Sequence, residues 1–191
     1  MSSDPEELSD QDIVRLVQQG EADAFSRLIE RYGDRIKRYV SRFFSSKDDV
    51  DDIVQETFIK AYRNIKQFNP QRPWSPWLYR IAHNQLVNAL KKKKKDPLFF
   101  FDLDVYLPRL FSVRDTEAEI SRRETKRLVE DSLAQLDFKY REVLILYYLE
   151  GLSYQEIAEV MRVPVSTVGI RLKRARHLAR QIYQQRHGTI D

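Results

Sequence analysis

Apolar residues recur every three to four positions along most of this 191-residue chain, which is the spacing of one face of an α-helix. The pattern predicts helices over 24–44, 48–68 and 77–95. It resumes at about residue 123 and continues to residue 187. Because the chain has five glycines and seven prolines and keeps this helical period, it predicts an all-α fold rather than a sheet.

The same spacing assigns side chains to the interior of the first two helices. In the first, the inward residues are Phe25, Leu28, Ile29, Tyr32, Ile36, Tyr39, Val40 and Phe43. In the second, they are Val50, Ile53, Val54, Thr57, Phe58, Ala61, Tyr62 and Ile65. Residues 69–76 contain three prolines, which cannot continue a helix, and are predicted to form a loop. Trp77, at the start of the third helix, is predicted to face the core.

Composition divides the chain into four segments. Residues 1–20 are an acidic N-terminal segment, and 21–95 form a first small helical domain. A linker over 96–122 combines acidic residues with the apolar cluster 98–101, and we expect it to dock on protein rather than behave as a flexible coil. A second small helical domain follows over 123–187.

A helix-turn-helix pattern lies near the end of the second domain. Gly151 ends one helix, and Ser153 with Glu156 three residues later makes a capping box for the next. Residues 162–164 then turn the chain into a longer helix that carries most of the nearby basic residues. A helical hairpin used only for packing would show the same turn, but it would not require the bases.

Charge is segregated along the chain. Residues 57–95 contain ten Lys or Arg and no acid, and residues 160–190 contain seven and no acid, although the net charge is only +4. One such run alone is typical of a solvated charged face. Two acid-free runs in one chain indicate a polyanionic partner, and we predict nucleic acid.

Several classes of function have no support in the sequence. The chain has no cysteine, three scattered histidines and no Gly-rich phosphate loop, so we expect no metal, no cofactor and no enzymatic activity. No apolar run approaches the roughly 20 residues of a membrane-spanning helix, and the first basic residue is Arg15. We therefore expect a cytoplasmic protein without membrane insertion.

Three stretches together resemble one known family. GLSYQEIAEVMRVPVSTVGIRLKRARHLAR (151–180) resembles region 4 of bacterial RNA polymerase sigma factors of the extracytoplasmic-function (ECF) group in the sigma-70 family. DDIVQETFIKAYRNIKQF (51–68) and WLYRIAHNQLVNALKKKKK (77–95) are similar to region 2 of that family. The resemblance implies a two-domain protein that binds core RNA polymerase and promoter DNA, reads the minus-thirty-five and minus-ten elements and assists promoter opening. It also implies an anti-sigma factor as a partner.

The resemblance further implies three sets of binding residues. Core polymerase contacts are expected at Asp52, Gln55, Glu56, Lys60 and Asn64. Minus-ten contacts are expected at Asn69, Arg72, Trp74, Ser75, Asn84, Asn88, Lys91 and Lys92. Minus-thirty-five contacts are expected at Ser166, Thr167, Gly169, Ile170, Arg171, Lys173, Arg174 and Arg176.

The recognition helix departs from the family pattern at one place. Family members commonly carry a basic residue and a serine after the Thr-Val pair, whereas Gly169 and Ile170 stand there in this chain. We expect base readout to move one turn along, to Lys173 and Arg174. An autonomous, dimeric helix-turn-helix transcription regulator remains the alternative function, and its oligomeric state would distinguish it.

Overall fold

The computed structural model describes residues 8–93 and 133–187. The chain divides between Lys93 and Lys94 into two compact units, each described here by itself. All regular elements in the two described ranges are helical. The predicted linker over 96–122 and the predicted start of the second domain lie outside the described residues.

The first unit contains four helices. They are α1 (Asp10–Gln18), α2 (Phe25–Ser41), α3 (Lys47–Asn64) and α4 (Trp74–Lys93), with single turns of 3-10 helix at Ala22–Ala24 and Ile65–Gln67. Helices α2, α3 and α4 pack pairwise, and α1 lies against α2 and the turn that follows α3. Their shared core includes Leu28, Ile36, Tyr39, Val40, Ala61, Trp74, Leu78, Tyr79, Ala82 and Leu86.

Helix α1 is an element that the sequence analysis did not predict. Ser9 caps it by accepting a hydrogen bond from the Asp12 backbone N–H at 3.2 Å. Ile13, Val14 and Val17 bury its apolar face. Part of the acidic segment therefore forms a helix of about two turns whose apolar residues pack into the core.

The first turn of α1 is tied to α2 through Asp10. The Asp10 carboxylate accepts a hydrogen bond from Arg31 Nη1 at 2.8 Å and another from the Tyr32 hydroxyl. Two causes raise the pKa of Tyr32: burial has the larger effect, and the hydrogen bond to Asp10 has the next largest. The hydroxyl therefore stays protonated and continues to donate at neutral pH.

The start of α4 differs from the prediction. The helix begins at Trp74 rather than Trp77, with Pro76 in its first turn. Proline is tolerated there because a first-turn N–H has no intrahelical acceptor. The burial of the two tryptophans is accordingly the reverse of the expectation: Trp74 is 1% exposed, whereas Trp77 is half-buried.

Two predicted core side chains are on the surface. Ile29 is 43% exposed and Tyr62 is 45% exposed, although both continue the apolar spacing of their helices. The Tyr62 ring contacts Phe25 edge-on, with ring centroids 5.1 Å apart. The apolar stripe is thus wider than the surface that the neighbouring helices cover.

The second unit contains three described α-helices, preceded by a single turn of 3-10 helix at Leu133–Gln135. Helix α5 (Phe138–Leu144) continues into a π-helical turn (Ile145–Leu149), and α6 (Tyr154–Met161) and α7 (Val165–His187) follow. Helix α7 packs against both α5 and α6. The core includes Val143, Leu144, Ile145, Leu146, Ile157, Val160, Val168, Leu172, Ala175 and Ala179.

Helix α6, which precedes the turn into α7, is capped at both of its ends. The capping box is confirmed, since the Ser153 backbone N–H donates to Glu156 Oε2 at 2.7 Å and the Glu156 N–H donates to Ser153 Oγ at 3.3 Å. At the other end, Arg162 adopts a left-handed conformation with φ 54° and ψ 48°. This residue stops α6 and redirects the chain into α7, as the helix-turn-helix pattern predicts.

We expect the substitution Gly169→Ala to stabilise the second unit. Gly169 lies inside α7, and an added Cβ would meet Tyr154 Cε2 at 3.7 Å, an ordinary van der Waals distance. Alanine should raise the free energy of unfolding by about 0.5–1 kcal/mol because it removes the entropic cost of a helical glycine. Hydrogen exchange of the α7 amides in the full chain measures this change.

Gly33→Ala provides a matched control for that substitution. Gly33 lies inside α2, and an added Cβ would meet nothing within 4 Å. It should raise protection in the first unit and leave the α7 amides unchanged. Faster exchange in α7 of the Gly169→Ala protein would contradict the geometry of this contact.

Candidate binding surfaces

The five residues predicted to bind polymerase share one side of α3, which we call the α3 face. Asp52, Gln55 and Asn64 are exposed, and Glu56 and Lys60 are half-buried. They recur at three- and four-residue intervals, so they follow one another along the helix. The opposite side buries Val50, Ile53, Thr57, Phe58 and Ala61.

Polar contacts order the α3 face and connect it to α4. Lys60 Nζ lies 3.4 Å from Glu56 Oε1 and donates to Gln85 Oε1 at 2.9 Å. Asn64 Nδ2 donates to the Lys60 carbonyl at 2.7 Å. Exposed pairs of this kind contribute little stability, so their main effect is to hold the side chains in fixed directions.

Helix α3 also carries an ion pair to α2. Lys37 Nζ lies 2.7 Å from Asp51 Oδ1, with both side chains about half exposed. The hydrogen bond from Lys37 lowers the pKa of Asp51, so the pair persists to a lower pH than an isolated aspartate would allow. The contact helps to define which side of α3 faces outward.

The loop at 69–73 connects the first unit's aromatic core to α4, and we call it the α4 loop. Asn69 shapes it: its side-chain Oδ1 accepts from the Gln71 N–H at 2.9 Å, and its carbonyl accepts from the Arg72 N–H at 3.0 Å. Asn69, Gln71, Arg72 and Pro73 are exposed. The loop is therefore a compact turn with its polar groups on the surface.

Trp74 is not part of the exposed surface, which corrects its predicted role as a minus-ten contact. Its ring packs against Phe68 at 5.3 Å, Trp77 at 4.8 Å and Phe25 at 6.5 Å between ring centroids. Trp74 Nε1 and the neighbouring Ser75 Oγ are nevertheless buried without a hydrogen-bond partner among the described residues. The base of the loop thus combines an apolar support with two unsatisfied polar atoms.

Beyond the loop, α4 presents a polar stripe. Asn84 is half-buried, and Asn88, Lys91 and Lys92 are exposed. Trp77 lies seven residues before Asn84, two turns earlier on the same side of the helix. The sequence analysis placed Trp77 in the core, although its seven-residue spacing from Asn84 was available as a signal.

The predicted minus-thirty-five residues are distributed around α7 rather than gathered on one side. Ser166 is exposed, and Gly169, Ile170, Lys173, Arg174 and Arg176 are half-buried. Ser166, Ile170 and Lys173 follow one stripe, and the exposed His177 continues it. His177 is not among the contacts predicted from the sequence.

Two predicted contacts on α7 lie in the interior. Thr167 and Arg171 are each 3% exposed, on the side of α7 that packs against the rest of the unit. Burial lowers the pKa of the Arg171 guanidinium. The prediction that these two residues contact the minus-thirty-five element is corrected accordingly, because neither side chain reaches the surface of this unit.

Neither a metal-binding cluster nor a membrane-spanning helix occurs among the described residues. No group of three His, Cys, Asp or Glu residues in 8–93 or 133–187 is arranged to hold a metal ion. In the same part of the chain, no helix combines the length and apolar character needed to cross a membrane.

Known families match both units. The Sigma-70 region 2 family matches residues 28–96, and the Sigma-70 region 4 family matches residues 126–177. The first match includes the α3 face, the α4 loop and all of α4. The second includes the helix-turn-helix and all eight predicted residues of α7.

Curated relatives match nearly the whole chain. The ECF RNA polymerase sigma-E factor of Haemophilus influenzae is 38% identical over 179 residues, covering 91% of this chain and 94% of the relative. The sigma-E factor of Escherichia coli K12 is 40% identical over 179 residues, with 90% and 92% covered. The ECF sigma factor SigW of Bacillus subtilis is 33% identical over 176 residues, with 88% and 93% covered.

A solved structure agrees with the sequence relatives. CnrH, in a complex with the cytosolic domain of CnrY, matches with a TM-score of 0.66 and 28% identity, covering 92% of this chain and 97% of that chain. Matches to both sigma-70 regions, in order, accompany relatives of comparable length at 33–40% identity. This chain therefore belongs to the ECF group of sigma-70 family sigma factors.

Proposed function

We propose that the two units of this sigma factor divide the work of promoter recognition between them. The chain binds core RNA polymerase and directs promoter-specific initiation, and RNA synthesis is left to the polymerase. The observation that carries this proposal is the placement of the two acid-free runs. One run supplies the α4 loop and the stripe of α4, and the other supplies α7 of the helix-turn-helix.

Core polymerase is proposed to bind the α3 face. This side of α3 is polar, ordered by hydrogen bonds and opposite the buried side of the helix. Asp52 and Glu56 add negative charge on a unit whose α4 is basic. A partner surface with basic side chains would complement the α3 face, and charge complementarity favours rapid and correctly oriented association.

The minus-ten element is proposed to bind the α4 loop and the stripe of α4. Promoter opening requires sites for unstacked bases, and stacking on an aromatic side chain is worth about 1–3 kcal/mol per base. Half-buried Trp77 now replaces Trp74 as the aromatic candidate, beside Asn69, Arg72, Ser75, Asn84 and Asn88. Lys91 and Lys92 are positioned to neutralise phosphates.

The minus-thirty-five element is proposed to bind α7 in the major groove. The revised contact set is Ser166, Gly169, Ile170, Lys173, Arg174, Arg176 and His177. Lys173 and Arg174 are proposed to reach base edges, and Arg176 to position the helix on a phosphate. Thr167 and Arg171 would instead support the helix from inside.

An anti-sigma factor is proposed as a further partner. CnrH, the structural neighbour described above, is bound to the cytosolic domain of CnrY. The proposed work on promoter DNA places this chain in the cytoplasm, where such a partner would hold it apart from polymerase.

Run-off transcription tests the proposed function directly. Purified chain and core polymerase are combined on a library of promoters, and transcripts are sequenced to recover the recognised elements. Transcription that depends on both partners and on two separated sequence elements would support the proposal. A stable dimer that binds duplex sites tightly without polymerase would instead support the autonomous regulator.

Charge reversal on the α3 face should weaken polymerase binding. The double substitution Asp52→Lys and Glu56→Lys changes an exposed and a half-buried residue, so the fold should be retained. We expect about tenfold weaker binding of core polymerase, because the two new lysines would face the basic side chains of the partner surface proposed above. Fluorescence anisotropy measures the Kd, and circular dichroism checks the fold.

A control pair separates this effect from net charge. Glu21→Lys and Asp23→Lys change two exposed acids in the same unit that precede α2 and do not belong to α3. The control should bind core polymerase like the wild type. Equal weakening by both pairs would contradict a specific role for the α3 face.

Two arginines of α7 should respond differently to alanine substitution. Arg174→Ala should cost about 1–3 kcal/mol at one base position and relax the preference there. Arg176→Ala should weaken binding to all promoters alike and flatten its dependence on salt, since a phosphate contact carries no base information. Promoter profiling with holoenzyme at two salt concentrations distinguishes the two effects.

The opposite pair of results for the two arginines would reassign the contacts of α7. Uniform loss for Arg174→Ala together with base-selective loss for Arg176→Ala would mean that the opposite flank of α7 faces the bases. Gly169→Arg adds a long basic side chain on the Arg176 flank, seven residues earlier. It should strengthen binding or add a base preference if that flank lies close to DNA.

A further inference from the structure

Gln18, the last residue of α1, makes two hydrogen bonds to the chain leading into the α4 loop. Its Nε2 donates to the Ile65 carbonyl at 2.7 Å and to the Phe68 carbonyl at 2.8 Å. Both hydrogens of one amide group are thus used on carbonyls three residues apart. Ile65 begins the 3-10 turn after α3, and Phe68 is the residue immediately before the loop.

These two carbonyls lie where the backbone changes direction. At Phe68 the chain leaves the 3-10 turn and becomes extended, with φ −74° and ψ 134°. The Ile65 carbonyl already accepts from the Phe68 N–H at 3.1 Å, and Gln18 adds a second donor to it. The Phe68 carbonyl has no helical N–H ahead of it to accept from, so the amide of Gln18 supplies its donor and defines the direction in which the loop departs.

The side chain of Phe68 is fixed as well. It is 5% exposed, with ring centroids 5.3 Å from Trp74 and 4.9 Å from Trp77. Trp74 is the first residue after the loop, so the two ends of the loop meet in one aromatic contact. Gln18 holds the backbone of this junction while the tryptophans hold its ring.

Helix α1 is itself anchored firmly enough to act as a support. Ile13, Val14 and Val17 are buried, and Asp10 is hydrogen-bonded to Arg31 and Tyr32 of α2. The part of α1 that carries Gln18 therefore cannot shift without disturbing these contacts. A side chain on a fixed helix is a more precise support than one on a loop.

We infer that Gln18 is a positioning residue for minus-ten recognition, acting through the Phe68 backbone on the α4 loop. This inference rests on the proposed function of that loop. Gln18 would contact no DNA itself. It would keep Asn69 and Arg72 in the arrangement that distinguishes one minus-ten sequence from another.

Four substitutions test this role. Gln18→Met keeps the length, helix propensity and neutral charge of the side chain but removes both donors. Gln18→Lys restores donors, and Gln19→Met and Gln19→Lys are matched controls at an exposed neighbouring position. Each full-length variant is assembled with core polymerase and assayed on promoters that differ only in the minus-ten element.

The measured quantity is the ratio of transcription from the preferred and a mismatched minus-ten element. Gln18→Met should lower this ratio about tenfold, the effect expected for losing two neutral hydrogen bonds, with core affinity within about twofold of wild type. Gln18→Lys should recover most of the ratio. Both Gln19 variants should match wild type.

Other outcomes would overturn the inference. An unchanged ratio in Gln18→Met, or an equal loss on every promoter, would reduce Gln18 to a purely structural residue. Failure of Gln18→Lys to recover any of the ratio, with normal core affinity, would also count against it. If wild-type holoenzyme shows no minus-ten preference, the proposed function fails before any substitution is considered.

Discussion

The contact between Phe68 and Trp74 is the constraint on which the first unit's binding surface depends. These two residues flank the α4 loop, and their rings lie 5.3 Å apart at the centre of an aromatic cluster that also includes Phe25 and Trp77. Joining the two ends of a five-residue loop leaves its backbone few conformations. The loss of conformational entropy that accompanies ordering of the loop therefore occurs during folding rather than on DNA binding.

The second unit orients its binding helix by different means. The capping box and the left-handed Arg162 define the ends of α6, and α7 begins three residues later. The fully buried apolar residues Val168, Leu172, Ala175 and Ala179 then fix the rotation of α7 about its own axis. Arg171 of α7 and Glu142 of α5 are buried in the same unit, where each charged group carries a cost of desolvation. The apolar residues thus specify which side of α7 remains outside.

The sequence predicts the helices well and their exposed sides less well. The apolar period gives α2, α3, α6 and α7 because each has a buried stripe that repeats over at least two turns. It fails at Trp74 because three nearby prolines indicate a loop, whereas Pro76 occupies a helical position that needs no N–H donor. It also fails at Arg171, which is one basic residue among several and whose burial depends on the neighbouring helices. Gln18 carries no sequence signal at all, since its partners are backbone atoms nearly fifty residues away.

The hydrogen bond between Lys60 and Gln85 joins the two proposed surfaces of the first unit. Lys60 belongs to the α3 face, and Gln85 follows Asn84 on α4, whose stripe is proposed to bind the melted strand. One half-buried hydrogen bond contributes little net free energy, but the packing of α3 against α4 holds the two helices together. Both proposed surfaces therefore lie on one packed pair of helices. The positions of the side chains proposed to bind polymerase and of those proposed to bind the melted strand are set together when the unit folds.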